Sequence, residues 1–81
     1  MFYLYILHSE ILDKYYIGVS SNPEERLKKH LYNHKGFTAR AKDWKMVYTE
    51  TLEHKSDALK REKEIKNWKS KVQIEKLISG I

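Results

Sequence analysis

Two short runs crowded with aromatic and aliphatic residues, Phe2 to Leu7 and Tyr15 to Ser20, stand close to the start of the chain, with a polar stretch containing Asp13 and Lys14 between them. Runs of that length and composition, broken so briefly, pair back on themselves as a hairpin. The chain is therefore committed to a sheet, and its remaining residues have to cover that sheet. Asn22 offers an N-cap, Pro23 suits the first helical position and Glu25 can reach back to complete a capping box, which predicts a helix from Pro23 to about Tyr32. Gly36 ends that region, a loop through Thr38 and Arg40 leads to Trp44, and Met46 to Thr49 predicts a third strand. Ser56 and Asp57 open a second helix, and Ser70 with Gln73 caps a third that ends near Gly80. The order β-β-α-β-α-α implies an α+β fold: a small three-stranded, mostly antiparallel sheet flanked by helices.

The 81 residues amount to one domain, 1–81. There is no cysteine, so neither a disulfide framework nor a thiolate metal site is available. With no secretory leader in view, the expected address is the reducing cytoplasm. The apolar opening from Met1 to Leu7 meets His8, Ser9 and Glu10 far short of a membrane span. The formal net charge is +5, with lysines and arginines concentrated between Arg26 and Lys76. A positive surface suits either a polyanionic partner, DNA or RNA alike, because binding its phosphates releases condensed counterions, or a merely solvated basic face.

Helix spacing picks out candidate chemistry. Glu62 shares a side of the second helix with Ala58 and Ile65, so its carboxylate faces the sheet. A carboxylate so placed needs a cation, either a metal or a side chain such as Arg26 or Arg61. In the first helix Leu27 and Leu31 form an apolar pair, and Arg26 and His30 form a second pair beside it at the margin of the core. Arg26 there can grip a phosphate, and His30 can accept or relay a proton near neutral pH. Tyr16 is followed by Ile17 and Gly18, and a glycine within a strand marks a place where another backbone or a ligand comes close.

Tyr3-Leu4-Tyr5 followed by Tyr16-Ile17-Gly18 resembles the paired motif of the GIY-YIG nucleases. Arg26 and His30 stand where that family carries its helix arginine and a histidine or tyrosine, and Arg61-Glu62-Lys63-Glu64-Ile65-Lys66 is similar to its later helix, whose glutamate holds a single metal. The resemblance spans Phe2 to about Ile78 and is strongest to short stand-alone, single-domain members akin to the catalytic module of the excinuclease. The glycine of the first motif is Tyr3 here, its tyrosine is kept as Tyr5, and Asn67 lies too near Glu62 to match the asparagine that larger members carry well after the glutamate. The resemblance implies a metal-dependent endonuclease acting on DNA, with Tyr5, Tyr16, Arg26, His30 and Glu62 as catalytic residues and one Mg2+ or Mn2+ on Glu62. Lys28, Lys29, Arg40, Lys42, Lys45, Lys66 and Lys69 are the candidate contacts to the nucleic-acid backbone. The rival reading is a non-catalytic nucleic-acid-binding module of the same fold, which would use the basic face and leave the cleft idle.

Overall fold

In a computed structural model that describes residues 1–32 and 36–80, the elements follow the expected order. They are β1 (Phe2–Ser9), β2 (Lys14–Ser20), α1 (Pro23–Tyr32), a 3-10 segment (Phe37–Arg40), β3 (Lys45–Leu52), α2 (Lys55–Trp68) and α3 (Lys71–Ser79). The sheet order is β2-β1-β3 and both pairings are antiparallel, so the hairpin strand β1 is central and β2 is an edge.

Alternation along β1 gives the sheet two different faces. Tyr5 and Leu7 pack with Ala41 and Trp44 on one face, bordered by Tyr16, Leu27, Leu31 and Met46, which places α1 there. Leu4, Ile6 and Ile17 pack with Ile65 on the other, bordered by Trp68, Ile74, Leu77 and Ile78, which places α2 and α3 there. Leu4, Ile6, Leu7 and Ile65 are wholly buried, each side chain stabilising the fold by about 1.5–3 kcal/mol. The register of β1 against β3 shifts between Ile6 and Leu7, where Tyr48 is followed in the pairing by Met46. Val47 is the extra residue of this bulge, and the slip returns Met46 to the Leu7 face.

Local chemistry fixes the connections. The Asn22 side chain accepts from the Glu25 N–H at 3.2 Å, and Ser70 Oγ accepts from the Gln73 N–H at 3.3 Å, so both N-caps form, while the Asn22 N–H donates to Ser20 Oγ at 3.0 Å rather than to Glu25. The second helix starts one residue before the expected Ser56, at Lys55, and His54 occupies its N-cap with no side-chain cap bond. The strands also run longer than expected, β3 to Leu52, because each continues as long as β1 offers a partner. Between β1 and β2, the buried Ser9 hydroxyl donates to Asp43 at 2.6 Å and accepts from the Leu12 N–H at 3.2 Å, while the second Asp43 oxygen accepts from the Ile11 N–H at 3.0 Å. A side chain far along the sequence thus closes the hairpin turn, and Asp13 takes the left-handed φ of 50° that completes it.

Candidate active site

Tyr5 on β1 pairs directly with Gly18 on β2, so the two occupy the same face of the sheet, and Tyr16 joins them two residues earlier on β2. A Cβ on Gly18 would stand 2.5 Å from both Cζ and the hydroxyl oxygen of Tyr5. The close approach that a strand glycine announces is therefore made by the Tyr5 phenol, rather than by a second backbone or a ligand. Lying across the bare glycine, the phenol reaches α1, where its oxygen and His30 Nε2 are 3.0 Å apart. The Tyr16 ring meets His30 edge-on at 4.7 Å between centroids and lies 6.4 Å from the Tyr5 ring.

Why His30 is available on α1 follows from the helix. Leu27 and Leu31 anchor one stripe to the Tyr5 face, and the adjoining stripe carries Arg26 and His30 to the margin. Arg26 is exposed and His30 half-buried. Arg26 and Lys29 together wall two shallow depressions, one lined also by His30 and Tyr32 and the other by Ser20, Ser21, Asn22 and Glu25.

Charges in this cleft act on one another. Burial pushes the Tyr5 phenol above its usual value, helped by Tyr16 and by the negative charge of Glu62, while the Arg26 guanidinium pulls it down. Burial and then the Arg26 charge hold His30 below the ordinary histidine value, which leaves it neutral at pH 7 and able to accept the phenol's proton. Both the cation of Arg26 and the anion of Glu62 are thus felt at the same phenol, although α2 packs on the opposite face.

Glu62 stands beside the buried Ala58 and Ile65, as the spacing requires, and its side chain keeps 23% of its exposure. Its partner among the described residues is Lys66, 3.5 Å away, rather than Arg26 or Arg61. Arg61 is engaged elsewhere: it donates to Glu50 on β3 at 2.9 Å and to Glu64 at 2.8 Å, and lies over the Trp68 ring. The four-residue spacing from Glu62 to Lys66 was the signal for the observed pair. No group of three or more histidine, aspartate or glutamate side chains able to hold a metal occurs among the described residues. A lone, partly exposed carboxylate such as Glu62 has the chemistry to hold a cation of the Mg2+ or Mn2+ type, which takes one or two protein carboxylates and fills its shell with water and substrate phosphate.

The basic residues divide among several surfaces. Lys28 and Lys29 are exposed on α1 beside Arg26, Arg40 ends the 3-10 segment, and Lys42 is exposed just after it. Lys45 starts β3 opposite His8, beyond Tyr5 along β1. Lys66 and Lys69 line a groove beside β2 on the α2 and α3 side. No helix among the described residues is long and apolar enough to cross a membrane.

The family model described as the GIY-YIG catalytic domain matches residues 1–76. No curated protein and no solved structure matches the chain. A match over nearly the whole chain, on a fold that gathers Tyr5, Tyr16, Arg26 and His30 beside the charge of Glu62, settles the kinship: the chain belongs to the GIY-YIG family, a family of endonucleases that act on DNA.

Proposed function

We propose that the protein hydrolyses DNA phosphodiester bonds as a metal-dependent endonuclease. The observation that carries this reading is the phenol of Tyr5, held 3.0 Å from a neutral His30 and under the charges of both Arg26 and Glu62. A structural tyrosine has no need of that company. Glu62 is the residue to hold a single Mg2+ or Mn2+ ion, which supplies charge to polarise the scissile phosphate and stabilise the leaving oxygen. Arg26, exposed at the mouth of the cleft, grips the phosphoryl oxygens and neutralises the charge that grows on them.

Water must lose a proton to attack. An isolated phenol with a raised pKa is a proton donor at neutral pH, so it serves as a base only if its own proton leaves as the new one arrives. His30 Nε2, 3.0 Å from the Tyr5 oxygen, is the group to take it, and Tyr16, whose ring packs edge-on against the same imidazole, is the alternative phenol. Lys28, Lys29, Arg40, Lys42, Lys45, Lys66 and Lys69 supply backbone contacts that position the nucleic acid without reading its bases.

The ion pair between Lys66 and Glu62 favours the rival reading, since a lysine there already neutralises the carboxylate. Nicking of plasmid and branched DNA in the presence of magnesium or manganese separates the two. The nuclease reading expects cleavage by the wild type, and expects Glu62→Ala to abolish it while DNA binding persists. Wild-type protein that binds DNA and never cuts it, or a Glu62→Ala variant that cuts at the wild-type rate, overturns that reading.

A further inference from the structure

A groove of about 500 Å³ runs along β2 on the face opposite Tyr5, between that strand and the junction of α2 with α3. Its floor is apolar, made by Tyr15, Ile17, Ile65 and Ile74, and its rim carries Lys14, Lys66, Lys69 and Lys71 against the lone acid Asp13. Lys71 is held by Asp13, and Lys66 pairs with Glu62. Lys14 and Lys69 are exposed and enter no ion pair among the described residues. Lys69 itself is fixed at the junction by a left-handed φ of 49°. Lys66 belongs both to this rim and to the Glu62 pair, which puts the groove next to the carboxylate proposed to hold the metal.

A duplex presents phosphates and groove edges and keeps its base faces stacked inside, so lysines alone would serve it. An apolar floor under a lysine rim matches a strand whose bases are free to leave the stack, with phosphates tracked by charge and bases laid on aromatic and aliphatic surface. The size fits as well, lying within the few hundred Å³ typical of sites for small ligands, the scale of a single nucleoside. We propose that this groove takes an unpaired DNA strand continuing from the scissile phosphate, with its backbone on Lys14, Lys66 and Lys69 and a base against Tyr15 and Ile74. The preferred substrate is then DNA with a single-stranded segment next to the cut. This deepens the nuclease reading and rests on it.

Anisotropy measurements without divalent cation, on a blunt duplex and on the same duplex carrying a single-stranded tail at one end or the other, test the groove apart from catalysis. Wild-type protein should bind one tailed form about tenfold more tightly than the blunt form, the gain of a single stacked base. Lys14→Gln with Lys69→Gln should erase that gain and lower the salt slope on the tailed form by about 1.4, the value for two single-strand phosphates, while blunt binding loses at most the one backbone contact of Lys69. The exposed control Lys60→Gln with Lys63→Gln, on another side of α2, should leave the gain in place. Equal binding of tailed and blunt DNA by the wild type, or a gain that survives the Lys14 and Lys69 changes, overturns the proposal. A tail preference in a protein that cuts nothing would support the groove and sink the nuclease reading; cutting without tail preference would do the reverse.

Discussion

Replacing Gly18 with alanine tests how the cleft is built. The new Cβ would stand 2.5 Å from Cζ and the hydroxyl oxygen of Tyr5, whereas ordinary contact begins at 3.4 Å. The phenol must therefore retreat by about 0.9 Å, and because Tyr5 is buried in a packed layer with Leu7 and Trp44 this is an overpacking of about 1–3 kcal/mol. The φ of Gly18 lies outside the left-handed region, so the whole effect comes from the side chain. Displaced by that much, the phenol loses its 3.0 Å contact with His30, and a shift of roughly 1 Å at a reacting group costs about a hundredfold in rate. Urea unfolding and single-turnover nicking read the two effects separately. In a Tyr5→Phe background, where the hydroxyl is already gone, adding Gly18→Ala should reduce cleavage little further. Gly18→Ala protein with wild-type rate and stability would refute the packing argument.

Other expectations come from the same geometry. Cleavage that needs a neutral His30 should persist down to the ordinary histidine value of about 6.5 and decline below it, since burial and Arg26 hold the folded pKa lower; a pH–rate profile with its acid limb above that value would contradict this. Protonating His30 also favours the unfolded chain, whose histidine binds protons first, so stability should begin to fall as pH drops below about 6.5. Asp13 and Asp43 are held below 3.8 by Lys71 and Ser9 respectively, so their contribution is present above that value and lost as the pH falls through the folded values, which acid titration of the fold will detect. Ser9→Ala leaves the Leu12 N–H and one Asp43 oxygen without this partner and should cost about 1–3 kcal/mol in denaturant unfolding, with cleavage per folded molecule unchanged.

Much of this is legible in the chain because it is written in local signals. The aromatic runs of the hairpin, the Asn22 and Ser70 caps and the Leu27 and Leu31 stripe each act over a few residues, and the structure uses every one of them. The direction of Glu62 is likewise fixed by its spacing from Ala58 and Ile65. Features set by distant partners are not readable. Nothing near Ser9 announces that Asp43 will close the turn, and the bulge at Val47 arises from register against β1 rather than from composition. Gly18 signals a close approach, but only the pairing of β1 with β2 reveals that Tyr5 is what approaches. The opening of α2 lies one residue from its expected place because Ser56 and Asp57 have the chemistry of a cap, while the strand-to-helix turn puts His54 in that position. The sequence leaves the partner of Glu62 open between metal, Arg26 and Arg61; Arg61 is drawn away by Glu50, and Lys66 takes the free-protein role.

The most direct test of the convergence of Glu62 with the two phenols, Arg26 and His30 is an anomalous difference map from crystals soaked in manganese. A single ion bound by the Glu62 carboxylate with Lys66 turned away, at the edge of the sheet beside Tyr5, Tyr16 and His30, is the expected result. Manganese bound elsewhere, or Glu62 still paired with Lys66 under conditions in which the protein nicks DNA, would contradict it.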